Sequence, residues 1–177
     1  MITIVFEPHS TTFDNENNVA SGWFDDRLSP AGAEQAKEMG RRYADNPFDA
    51  IFCSDLKRAY QTATIAFDFN PRLIFSDWRL RECDYGQYTQ ASKQEVNGLR
   101  SQHISEPFID GESYNQVVDR VASFLADLKK RWDGKRVLII GHRGTHYGLD
   151  FLINNKPLEQ SLAETFTWQP GWQYTLQ

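Results

Sequence analysis

The chain of 177 residues is about one domain long; at 40% hydrophobic and 24% charged residues, it can bury a core without disulfides or a structural metal. Its 19 Lys and Arg against 24 Asp and Glu give a formal charge of −5 with no long basic run, which excludes a protein that tracks a nucleic-acid backbone by charge. Two cysteines outside any CxxC pair, an N-terminus without a basic leader, and no run near the ~18 apolar residues of a membrane span point to a reducing, cytoplasmic setting without nucleic-acid or membrane partners.

In chain order, Ile2 to Phe6 is β-branched and apolar and reads as a buried strand running into a polar loop, Glu7 to Asn18. Ser29 stands as an N-cap with Pro30 at the first helical position, and Ala33, Ala36, Met39, Gly40 and Tyr43 form one helix face before Pro47. Asp49 to Cys53 reads as a second strand. Ser54 and Asp55 are expected to cap a helix from Leu56 to Phe67. Arg72 to Phe75 gives a weaker third strand. From Asp77 to Ile109 the period is lost among charges and aromatics, so a helical or irregular lid is expected there. Tyr114, Val117, Val118, Val121, Phe124, Leu125, Leu128 and Trp132 mark a long amphipathic helix closed by Asp133 and Gly134. Val137 to Ile140 is the cleanest strand, followed by a helix from Thr145 to Ile153, with short terminal strands expected at Phe166 to Trp168 and Trp172 to Leu176. Strands alternating with helices imply a three-layer α/β/α fold with a mainly parallel sheet, read as a single domain over 1–177.

Open α/β sheets bind ligands at the carboxyl ends of their strands. His9 follows the first strand, Ser54 to Arg58 the second, Arg79 to Glu82 the weak third, and His142 the last clear one. Two imidazoles, a guanidinium and a carboxyl brought to one sheet edge suit phosphoryl transfer: a nucleophile, cations around the phosphoryl oxygens, and an acid for the leaving oxygen. A histidine after a strand is also an ordinary loop hydrogen-bonder, and residue types alone leave both readings open.

The surrounding residues resemble the histidine phosphatases with the phosphoglycerate-mutase-like fold. Pro8-His9-Ser10-Thr11-Thr12-Phe13-Asp14-Asn15 is similar to the family's Arg-His-Gly-Glu-Thr-x-x-Asn motif, keeping the histidine, the Thr and the Asn. Gly22 to Gly32 resembles its approach to the first helix, and Ser54-Asp55-Leu56-Lys57-Arg58-Ala59-Tyr60-Gln61-Thr62-Ala63 its Ser-x-Leu-x-Arg-Ala-x-Gln-Thr-Ala motif. Leu80 to Gly86 resembles the acid motif, Gly111-Glu112-Ser113 the turn before a long helix, and Gly141-His142 the second histidine. The resemblance implies His9 as phosphorylated nucleophile, Glu82 as proton donor and His142 as partner of the transferring group. Arg58 with Ser10, Thr12, Asn15 and Arg143 would hold the phosphate, with no cofactor and no metal. Mutases of the family carry Arg-His-Tyr-Gly after the acidic residue; Cys83-Asp84-Tyr85-Gly86 stands there, so the expectation is a hydrolase acting on a small phosphorylated substrate or a phosphoprotein.

One departure is large: the arginine that precedes the nucleophile in the family is Pro8, and the next two residues are Ser10 and Thr11. The alternative this raises is a phosphatase-like protein that binds a phosphorylated or anionic ligand with little turnover. Loss of that arginine would slow the enzyme, change its substrate, or be offset by Arg143, Arg27 or the hydroxyls of Ser10, Thr11 and Thr12, and residue types leave all three open. His142 and His146 have a helical metal spacing, but no further ligand completes a site. No P-loop or GxSxG motif occurs. His103 reads as a surface residue, and Trp23 and Trp78 as loop residues that could flank a pocket.

Overall fold

The computed structural model describes residues 1–68 and 73–177. A five-stranded sheet runs β3-β2-β4-β1-β5, built from β1 (Ile2–Pro8), β2 (Ala50–Cys53), β3 (Ile74–Ser76), β4 (Arg136–Gly141) and β5 (Trp172–Leu176). Every pairing is parallel except β1 with β5. Side chains alternate across the pleat, and the two faces bury different sets. Ile4, Phe6, Val137 and Ile139 pack with α5 (Tyr114–Arg131) and α6 (Arg143–Asn154), whereas Val5, Ile51, Leu138 and Ile140 pack with α2 (Pro30–Tyr43) and α3 (Lys57–Ala66). These are the three layers that the alternation of elements predicts.

Local chemistry sets the ends of the elements. Ser29 Oγ accepts from Gly32 N with Pro30 at N1, as its position predicts, and Ser113 and Gln116 close a reciprocal capping box on α5. The expected cap of α3 by Ser54 and Asp55 is corrected: the N-cap is Leu56, without a side-chain bond, while Ser54 Oγ accepts from Leu56 N and turns the chain before the helix. The loop after β1 holds a short helix that hydrophobic period could not reveal, α1 (Phe13–Glu16), capped reciprocally by Thr12 and Asn15.

Of the third strand, Arg72 lies outside the described residues, and pairing begins at Ile74. The segment from 77 to 109 holds 3₁₀ turns at Trp78–Leu80, Gly86–Tyr88 and Arg100–His103, and a helix, α4 (Lys93–Leu99). Phe166 to Trp168 is not a strand: after α7 (Leu158–Ala163) the chain crosses the carboxyl edge of the sheet as irregular backbone, and Phe166 stacks on Trp172 instead. Among the described residues no helix is long and apolar enough to cross a membrane.

Candidate active site

Register brings the distant motifs together. Pro8 pairs with Gly141 and Cys53 with Ile140, so the residues after β1, β2 and β4 emerge side by side. His9 N donates to Gly141 O at 2.9 Å and Ser54 N to Ile140 O at 3.1 Å, carrying the alignment one residue beyond the strands. The His9 and His142 rings consequently lie 5.0 Å apart, between centroids, in a cavity of about 630 Å³ that Arg58, Glu82 and Arg143 also line.

The ring of His9 is fixed in one tautomer. Its Nδ1 lies 2.7 Å from Ser10 O, and since a carbonyl only accepts, Nδ1 carries the hydrogen and the lone pair is on Nε2. Burial, then the charge of Arg58, lower its pKa to about 3, so the imidazole is neutral at any ordinary pH. His142, buried at the N-cap of α6, is pushed well below its usual value by burial and by Arg58, and both its ring nitrogens lack a hydrogen-bond partner among the described residues. Polar atoms left bare in a buried site point to a ligand that completes them.

Arg58, at the start of α3, is buried and locked by the loop that precedes α2: Nη1 donates to Phe24 O at 2.9 Å and Nη2 to Gly22 O at 2.7 Å. Gly22 has φ +51, the left-handed conformation that turns its carbonyl onto the guanidinium. Thr62 links this group to the nucleophile loop, its Oγ1 donating to Arg58 O and accepting from Ser10 N. Burial lowers the pKa of Arg58, with Glu82 foremost among the groups that oppose the shift.

Glu82 Oε1 accepts from both Cys83 N and Gly144 N at 2.8 Å, so a proton on this carboxyl sits on Oε2. Gly144 permits the approach, since a Cβ there would lie 2.6 Å from Oε1. The backbone around Glu82 is held by Arg120, which the sequence reading passed over as part of an amphipathic face. Its Nη1 donates to Arg79 O and Arg81 O and its Nη2 to Glu82 O, while Nε and Nη2 grip the two oxygens of Glu112. The Gly-Glu-Ser motif was the available signal.

The remaining residues divide. Ser10, Asn15 and Arg143 line the cavity; Thr12 does not, because its hydroxyl is used in capping α1. Arg143 lies over the rings of Tyr147 and Phe166 at 5.6 and 5.3 Å, with its Nε buried and unpartnered. Arg27 stacks on Phe13 and does not reach the cavity. His146 stacks on Phe6 with centroids 5.1 Å apart, so its spacing from His142 is a packing feature. Among the described residues no group of three or more His, Cys, Asp or Glu could hold a metal ion. His103, expected at the surface, is half-buried against Phe108 with centroids 3.8 Å apart. Trp23 and Trp78 are not in the wall: Trp23 donates to Glu82 O and Trp78 is exposed. Instead the wall includes Tyr85, Lys93, Arg100 and Trp168, which isolated positions in aperiodic segments did not announce.

An α/β sheet with two neutral histidines, a buried arginine and a carboxyl at its carboxyl edge defines a phosphoryl-transfer enzyme. The chain belongs to the histidine phosphatase superfamily (branch 1), whose family model matches residues 4–162. It is 30% identical over 159 residues, 85% of this chain and 78% of the other, to a Hydrogenobacter thermophilus protein named "Putative phosphoserine phosphatase 2". A 2,3-bisphosphoglycerate-dependent phosphoglycerate mutase of Streptococcus mutans is 36% identical over 101 residues, 54% of this chain but 44% of the mutase. Among solved structures, a mycobacterial glucosyl-3-phosphoglycerate phosphatase superposes with a TM-score of 0.78 at 24% identity, covering 91% of this chain and 86% of that one. The phosphoglycerate mutase of Bacillus anthracis superposes with a TM-score of 0.75 at 18% identity, covering 87% and 80%, which identifies the fold as phosphoglycerate mutase-like. The class is that of a phosphatase.

Proposed function

We propose that the chain is a metal-independent phosphomonoesterase that works through a phosphohistidine at His9. The observation that carries the reading is the neutral His9 ring, held by Ser10 O with its Nε2 lone pair free beside the unpartnered nitrogens of His142. In the first step Nε2 attacks phosphorus, the bond to the ester oxygen breaks, and the leaving oxygen takes the proton from Glu82 Oε2. The phosphorylated ring keeps its Nδ1 hydrogen and becomes cationic, a charge that Ser10 O favours. Water then attacks phosphorus, gives its proton to the Glu82 carboxylate, and the P–N bond breaks to return neutral His9. Arg58, with N–H groups beyond its two carbonyl bonds, His142 and Arg143 hold the phosphoryl oxygens, so Arg143 from the α6 side stands in for the arginine absent at Pro8.

The substrate is a small phosphomonoester whose alcohol carries a second negative group. Lys93 and Arg100 line the cavity with Glu82, where the leaving group is protonated, and neither pairs with a carboxylate among the described residues except through space. Lys93 bonds Asn15 O and Arg100 the hydroxyl of Tyr147, so both guanidinium and ammonium remain available to an anion. The relatives named for phosphoserine and phosphoglycerate fit that class. Release of inorganic phosphate from a panel of phosphate esters tests the reading: phosphoserine and 3-phosphoglycerate are turned over faster than phosphoethanolamine and glycerol 3-phosphate, and equal rates contradict the second anion.

A further inference from the structure

Beyond the phosphate pocket the cavity continues past Pro8 to a wall that the phosphoryl chemistry does not use. Glu7, fully buried on β1, accepts from Tyr43 Oη at 2.6 Å and from Arg42 Nη2 at 3.0 Å, both on Oε1. Its Oε2 and Arg42 Nε are buried and have no hydrogen-bond partner among the described residues. Arg42 lies over the ring of Tyr43 at 5.5 Å and under that of Trp168 at 5.7 Å, and Trp168, 55% exposed, lies on the irregular segment that crosses the sheet edge. Gln35 and Glu38 of α2 complete this arm of the cavity.

We propose that this arm, floored by Glu7 and Arg42 and edged by Trp168, binds a hydroxyl-bearing, sugar-like part of the substrate's leaving group. The inference rests on the phosphatase reading and adds a subsite to it. Glu7 is paired with Arg42 and Glu38 with Arg41, so among the described residues the arm lacks the free cations of the wall formed by Lys93, Arg100 and Arg143, and a second anion has no advantage here. The unmet groups are one acceptor, Glu7 Oε2, and one donor, Arg42 Nε, and a hydroxyl is the group that both donates and accepts. Buried polar atoms left unmet are a reason for the pair to be completed by a ligand. The Arg42 guanidinium already fills the space under the indole, so a pyranose or polyol enters beside Trp168 with its hydroxyls turned to the polar floor. A purely structural role, pinning α2 to β1, accounts for Tyr43 and one oxygen of Glu7 but leaves the exposed Trp168 over Arg42 without use.

The test compares kcat/KM for glucose 6-phosphate and butyl phosphate, both esters of primary alcohols, with phenyl phosphate turnover as the check of the underlying reading. The wild type prefers glucose 6-phosphate by about tenfold or more, as a site that hydrogen-bonds a substrate hydroxyl does. Trp168→Ala and, separately, Glu7→Gln each bring that ratio toward one, through KM. Phenyl phosphate turnover with a wild-type ratio near one overturns the subsite while leaving the phosphatase reading intact. No turnover of any ester overturns both. A ratio that survives both substitutions while thermal stability drops assigns the cluster to structure and overturns the proposal.

Discussion

Pro8 stands where the resemblance puts an arginine, which raises the question of where a second phosphate cation comes from. Under the proposed mechanism that cation is Arg143, which lines the cavity and lies over Tyr147 and Phe166 with a bare Nε. Arg143→Ala is expected to lower kcat/KM by about 10²-fold and to weaken vanadate binding in parallel, as loss of one donor to a transition-state oxygen does. Pro8→Arg, by contrast, tightens vanadate binding little. The absence of an arginine at position 8 also suggests a His9 that protonates easily, but burial and Arg58 already hold its pKa near 3. His9 therefore contributes no acidic limb to kcat/KM between about pH 5 and 8, once the substrate's own ionisation near ~6 is allowed for. An additional acidic limb in that range that follows His9 substitutions contradicts the neutral-nucleophile account. Glu82→Gln separates leaving groups: hydrolysis of alkyl phosphates falls much further than that of phenyl phosphate, whose leaving oxygen needs little protonation. Equal losses assign Glu82 to water attack alone.

At the scale of elements, the acid is positioned from a distance. Arg120 on α5 ties Glu112 to three carbonyls of the 79–82 segment, and Gly144 at the start of α6 makes room for the carboxylate. Breaking a buried pair of this kind costs about 3–5 kcal/mol, so Arg120→Met lowers the urea midpoint strongly. Arg120→Lys separates the two roles: it keeps the charge, loses the fork, and slows alkyl more than aryl phosphates in the molecules that remain folded. Elements with a strong period were legible in the sequence for physical reasons. The apolar stripe of α5, the Ser29-Pro30 start of α2 and the Val137–Ile140 core of β4 each bury a face that composition alone specifies. Four-residue α1 has no face to bury and is held by Thr12 and Asn15, which is why Thr12 read as a ligand residue and is a cap. Phe166 to Trp168 looked like a strand because its aromatics are β-formers, yet they cover the cavity and Arg42 rather than pair with a neighbour. His9, Arg58, Glu82 and His142 were singled out because each follows a strand or a helix start and lies in a stretch that resembles a family motif. Lys93, Arg100 and Arg120 reach their places only through tertiary packing, which no local pattern encodes.

For the whole molecule, a site made of buried neutral histidines carries a stability consequence. His9, His142 and His146 all have pKa values lowered chiefly by burial. Each ring binds its proton more weakly folded than unfolded, so the unfolded chain takes up protons first as pH falls below about 6.5. Stability is thus full above that value and declines down to the folded pKa, about 3 for His9, with a slope of up to ~1.4 kcal/mol per pH unit for each ring. Glu7, raised by burial, acts in the opposite direction just above its ordinary value and offsets only part of this. Urea midpoints measured at pH 7, 6 and 5 should fall steadily, and His146→Phe, which keeps the stack on Phe6, should flatten the decline. A midpoint independent of pH over this span contradicts the burial of uncharged rings. The same parallel sheet that buries His146 delivers His9 and His142 to one edge, so fold, stability and chemistry have a common origin in the register of β1 with β4. The most direct test of that chemistry is to mix the enzyme with ³²P-labelled phosphoserine, quench in alkali within a turnover, and locate the label by peptide mass spectrometry. The account predicts a base-stable, acid-labile phosphoramidate on His9 that is absent from His9→Ala; label on any other residue, or phosphate release by wild type with no labelled protein under conditions where hydrolysis of the intermediate is slowed, contradicts it.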